Sequence, residues 1–111
     1  LKMGEQKLEQ KVRIKDMPIE QRPREKFLKD GAEILSDVEL LAILIGSGTK
    51  DKSAIDLANE IIKKYGSFKG LAGRTIEELK EIKGLKEAKI LNIASAFEIA
   101  RRIVEEVQKY G

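Results

Sequence analysis

The chain has no cysteine and no histidine, and these two absences exclude more than any residue present. Without thiols there are neither disulfides nor thiolate metal sites, and without imidazole the common zinc constellations are excluded as well. Tryptophan is also missing, and Phe27, Phe68, Phe97, Tyr65 and Tyr110 are too few and too scattered for a base-stacking platform. No apolar run reaches membrane-spanning length, and Leu1 to Asp16 lacks the apolar block of a signal peptide. The expectation is a cytoplasmic protein with no membrane partner and no cofactor.

What remains is rich in charge of both signs. Lysine and arginine number 22 against 19 acidic residues, a surplus of +3 that permits nucleic-acid binding without demanding it. At 111 residues the length suits one domain with one modest core. Residues 1–17 hold few apolar side chains, Leu8, Val12 and Ile14 among them, and are expected to form a loose arm ahead of a domain at 18–111. The alternation Val12, Arg13, Ile14, Lys15 suits at most a short extended segment.

The stretch Thr75 to Arg102 organises the rest. Thr75 and Glu78 form a capping box that starts a helix, and Ile76, Leu79 and Ile82 recur at helical spacing. Gly84 is the residue expected where that helix ends in a left-handed conformation, which places the last helical residue at Lys83. Leu85 stands alone between polar neighbours as a plug between two helices. A second helix follows, marked by Ala88, Leu91, Ala94, Phe97, Val104 and Val107 and widened by Ile90, Ile93, Ile99 and Ile103, and its apolar breadth predicts a mostly buried element. Together these make a helix-hairpin-helix, whose turn runs hydrophobic, any residue, Gly, hydrophobic, Gly. Here it runs Ile82, Lys83, Gly84, Leu85, Lys86, with lysine where the pattern has its second glycine. Unpaired amides at the start of the second helix, with its dipole, suit a phosphate oxygen. Lys83, Lys86 and Lys89 favour that use, whereas Glu87 competes with it.

An earlier stretch repeats the order. Pro23 opens a helix that Gly31 stops; Ser36 and Glu39 then form a second capping box ahead of an apolar run from Val38 to Ile45. Gly46, Ser47, Gly48, Thr49, Lys50, Asp51 and Lys52 make a turn, and Ser53 with Asp56 opens a striped helix that Gly66 closes. Ser67 caps a one-turn connector, Phe68 to Ala72. The fold expected is therefore all-α: a compact five-helix bundle of paired helix-hairpin-helix units with a short connector. One hairpin of helices cannot bury its stripe alone, but two can bury theirs against each other. The candidate DNA-contacting residues are Gly46, Ser47, Gly48, Thr49, Lys50 and Lys52 on one hairpin and Lys83, Gly84, Leu85, Lys86 and Lys89 on the other.

The chain resembles the N-terminal domain of the bacterial RadC family, named as a DNA repair protein. The resemblance covers nearly everything after Ile14. It rests on Ile14-Lys15-Asp16 then Pro18, Arg22-Pro23-Arg24-Glu25-Lys26, Leu35-Ser36-Asp37 with Glu39-Leu40-Leu41-Ala42-Ile43-Leu44, Gly48-Thr49, Ser53-Ala54 with Leu57-Ala58, and Ile82-Lys83-Gly84 with Ala88-Lys89. It implies that in a full-length protein this domain precedes a metalloprotease-like domain of the JAB/MPN type, which is not part of this sequence and becomes an expected partner.

Two functions follow. One is a non-catalytic module that holds phosphates of duplex or branched DNA without reading sequence. The other is an interaction domain that packs on the C-terminal domain or another protein, using Arg22 to Lys26 and the arm. Catalysis by this chain is not expected, because the carboxylates fall among lysines at ion-pair spacing, as in Glu77, Glu78 and Glu81 near Lys80, Lys83 and Lys86.

Overall fold

The computed structural model describes residues 13–110, and over that span every regular element is helical. Short 3-10 turns at Ile14–Asp16 and Ile19–Gln21 lead into α1 (Pro23–Asp30), and a third at Ala32–Ile34 leads into α2 (Asp37–Ile45). Then come α3 (Ala54–Tyr65), the connector α4 (Phe68–Ala72), α5 (Ile76–Lys80) and α6 (Glu87–Tyr110). The paired hairpins α2–α3 and α5–α6 with α4 between them are the five helices expected, and α1 stands in front as a sixth.

Four of the helix starts are written in hydroxyl caps. Ser36, Ser53 and Thr75 each accept from the amide three residues on, at 3.1 Å, and the acid at that position returns to the cap amide. Ser67 caps the connector through the Gly70 amide. Each such cap is worth about 1 kcal/mol, which matters for helices as short as α4 and α5.

The core is one cluster drawn from both hairpins. Leu41, Ala42 and Ile45 of α2, Leu57, Ala58 and Ile61 of α3, Leu71, Leu79, Ile82 and Leu85, and Ile90 and Ile93 of α6 are all buried together. The helix α2 packs on α1, α3 and α6, so it is the element shared between the two halves. A 2.6 Å ion pair from Lys26 to Glu39 fastens α1 to it. Burial alone would push the Glu39 carboxyl up, but the Lys26 hydrogen bond, the Ser36 amide and the lysine's charge outweigh that and hold it below its ordinary value.

Three sequence expectations meet a different geometry. The α-helix of α5 ends at Lys80 rather than Lys83, because the chain tightens into i→i+3 bonds from Glu81 to Glu78 and from Ile82 to Leu79. That tightening turns Ile82 and Leu85 inward. The alternation at residues 13–15 does not make an extended segment: Ile14 sits in a 3-10 turn and packs against the core. The expected arm falls largely on residues 1–12, outside the described residues. The third difference concerns α6, expected to be mostly buried. Only its first turns are, through Ile90 and Ile93, and every residue from Ile99 to Lys109 is exposed. The apolar count of a helix gives its stripe width, but burial also needs a neighbour of equal length, and α5 is five residues long.

Candidate nucleic-acid interface

The two hairpin turns lie side by side and share a groove of about 700 Å³. It is lined by Gly48, Thr49, Lys50, Asp51 and Lys52 from the first turn and Lys83, Gly84, Lys86, Ala88 and Lys89 from the second. Eight of the eleven candidate positions thus come together. Leu85 is not among them: it is 5% exposed and sits in the core between the helices, the plug its isolation suggested. Gly46 and Ser47 face the other side of the first turn, where they line a separate groove with Arg13, Ile14 and Lys15.

Close backbone approach fixes the groove walls. A side chain at Gly48 would run into the Lys52 carbonyl and the Ser53 backbone, so the loop closes only with glycine there. Gly84 has φ +95°, and a Cβ on it would stand 3.2 Å from Leu57 and 3.5 Å from Thr49, so the second turn rests directly on the first.

The first turn spends most of its amides internally. The Thr49 amide donates to the Lys52 carbonyl at 2.6 Å, and the Thr49 hydroxyl accepts from the amides of Asp51 and Lys52 at 3.3 and 3.1 Å. The Ser53 amide is taken by Asp56. The second turn differs: the amides of Lys86, Glu87, Ala88 and Lys89, at the start of α6, have no acceptor among the described residues. If phosphate is held by backbone, it is held there, where the dipole of a 24-residue helix adds to the lysines.

The lysines divide into two kinds, which their spacing did not reveal. Lys52 pairs with Glu60 at 2.7 Å and donates across the groove to the Lys83 carbonyl at 3.3 Å. Lys89 donates to the Ile45 carbonyl at 3.1 Å, at the C-terminus of α2, and to the Ser47 hydroxyl at 3.2 Å. These two are cross-ties that hold the hairpins together. Lys83 and Lys86 are exposed and make no ion pair or side-chain hydrogen bond among the described residues. Asp51 and Ala88, which sequence reasoning did not single out, complete the lining, and Asp51 is the acidic member.

A pair of helical hairpins with a basic groove between their turns defines a paired helix-hairpin-helix domain. Residues 14–91 match the family model described as UPF0758 N-terminal. A UPF0758 protein of Desulforudis audaxviator (strain MP104C) is 48% identical over 95 residues, which is 86% of this chain and 41% of that protein. Another, of Rubrobacter xylanophilus, is 46% identical over 90 residues, 81% of this chain and 40% of that protein. The chain belongs to the UPF0758 family, which carries the RadC name, and corresponds to its N-terminal region. It spans about two fifths of the length of these curated relatives. No solved structure matches it. No helix of the described residues is long and apolar enough to cross a membrane.

Proposed function

We propose that this domain is a non-catalytic, cytoplasmic DNA-binding module that holds backbone phosphates, without reading base sequence, in the groove between its two hairpin turns. The observation that carries this reading is the convergence of Lys50, Lys52, Lys83, Lys86 and Lys89 around one groove with a single acid, Asp51. Lys83 and Lys86 supply cations with no ion-pair partner among the described residues, and the first amides of α6 supply donors between them. Phosphate contact of this kind positions a protein on DNA and carries no sequence information. With no aromatic residue in the groove lining, stacking on single-stranded bases has no support. A role in DNA repair belongs to the same proposal.

Mobility shifts with duplex, single-stranded and four-way branched DNA, each at low and moderate salt, test it. Duplex or branched DNA should shift at low salt, and the shift should fade as salt rises. Absence of any shift at low salt would remove the reading.

A second reading has its own observation. Phe27, Leu28, Ile19 and Ile34 are exposed around α1, with Leu28 82% exposed, and apolar side chains so placed suit a protein partner. On that reading the domain packs on the C-terminal domain that the RadC resemblance implies, and the groove lysines are solvated without a ligand.

A further inference from the structure

The C-terminal half of α6 is sorted cleanly by chemistry. At about 100° per residue, Ala96, Ile99, Ala100, Ile103, Val104 and Val107 fall within one arc, Glu98, Arg101, Arg102, Glu105 and Lys109 lie outside it, and Glu106, seven residues after Ile99, borders it. The core-facing residues Ile90, Ile93 and Phe97 point to one edge of that arc, so the body of the domain leaves its centre uncovered. Ile99, Ile103 and Val107 are 61%, 55% and 61% exposed. The centre of this stripe has no covering element among the described residues, and packing is what normally stabilises such a helix.

We propose that this stripe pairs antiparallel with the same helix of a second copy of the chain. The charges beside the stripe choose that occupant. On the flank away from the core-facing residues stand Arg102, which pairs along its own helix with Glu98 at 2.8 Å, and, one turn on, Glu106, which has no ion-pair partner among the described residues. In a two-fold antiparallel pair each flank meets itself. With the axis at the level of Val104, Arg102 of one copy stands level with the partner's Glu106, and the reverse holds at the other end. The same register drops Ile103 between the levels of the partner's Ile103 and Val107, the interleaving that packed helices require. The overlap then runs from the level of Glu98 to that of Tyr110. A parallel pair would set Arg102 and Glu106 against the other flank, where Arg101 and Gln108 stand, and lose the match.

The overlap is short, so the pair is weak, with a midpoint on the order of 10–100 µM, at the low end for specific interfaces. Sedimentation equilibrium of the chain from about 10 µM to about 1 mM brackets that midpoint. A monomer–dimer equilibrium is expected, and Ile103→Glu should abolish it while leaving the helical circular dichroism unchanged. Arg102→Glu and Glu106→Arg should each weaken self-association at least about fivefold by setting like charges level. An equimolar mixture of those two variants should associate at least as tightly as the parent, since every facing pair is then opposite in sign, a rescue that a change in helix stability could not produce. A monomer throughout the range would overturn the proposal and assign the stripe to another occupant, such as the part of the relatives that lies beyond this domain. An association that Ile103→Glu leaves intact, or a mixture that stays monomeric, would overturn it as well.

Discussion

Lys52 and Lys89 tie the two hairpins together in opposite directions. Lys52, in the first turn, donates to the Lys83 carbonyl of the second; Lys89, in the first turn of α6, donates to the Ile45 carbonyl that ends α2. Each ammonium meets a carbonyl where the chain leaves a helical segment, and in the case of Ile45 this is the negative end of the α2 dipole. The groove is therefore held at a fixed width by two of the lysines that line it.

This relationship sets the first prediction. Lys52→Met and Lys89→Met should each lower the stability of the domain by about 1 kcal/mol, the scale of a partly exposed charged hydrogen bond at a helix terminus. Lys83→Met and Lys86→Met should stay within about 0.5 kcal/mol, as exposed substitutions do. Urea unfolding followed by circular dichroism separates the two pairs; equal losses in all four would mean the ties carry no stability.

Gly84 carries the second. Its φ of +95° strains any side chain, and a Cβ there meets Leu57 at 3.2 Å. Gly84→Ala should cost about 1–2 kcal/mol, from the left-handed penalty with the contact added. Thermal unfolding of the variant checks this, and an unchanged midpoint would count against the turn as described.

Much of this was legible in the sequence because the signals were local. The capping pairs Ser36–Glu39, Ser53–Asp56 and Thr75–Glu78 mark helix starts through residues three apart, and Leu85 announced its burial by standing alone. The division of the lysines was not legible, since Lys89 finds Ile45 and Lys52 finds Lys83 across 44 and 31 residues of chain. The exposure of Ile99 and Ile103 was hidden for the same reason: an apolar stripe reports a preference for burial, and the five-residue α5 is too short to cover the outer half of α6.

Acid supplies a third prediction. The Glu98 carboxyl is held down to about 2 from an ordinary 4.5 by hydrogen bonds from Arg101 and Arg102. Glu78 is also lowered, chiefly by the Thr75 amide, and Glu39 by Lys26 and Ser36 against the cost of its burial. Groups whose folded values are depressed contribute fully above their unfolded value and lose that contribution as pH falls through the folded one. Stability should therefore hold level from neutral pH down to about 5 and decline from about 4.5 towards 2. A pH series of unfolding midpoints checks this, and a decline that begins above pH 6 would contradict it.

The central claim is that Lys83 and Lys86, with the first amides of α6, hold DNA phosphates. Fluorescence anisotropy of a labelled duplex across a salt series tests it most directly, comparing the parent with Lys83→Glu/Lys86→Glu and with Lys63→Glu, a control on α3 that does not line the groove. Two to three phosphate contacts give a slope of log affinity against log salt of about −2 to −3 for the parent and for the control. The double variant should bind at least about tenfold more weakly with a shallower slope while unfolding at the parent's midpoint. Equal binding by all three proteins, or no binding by the parent at low salt, would contradict the account.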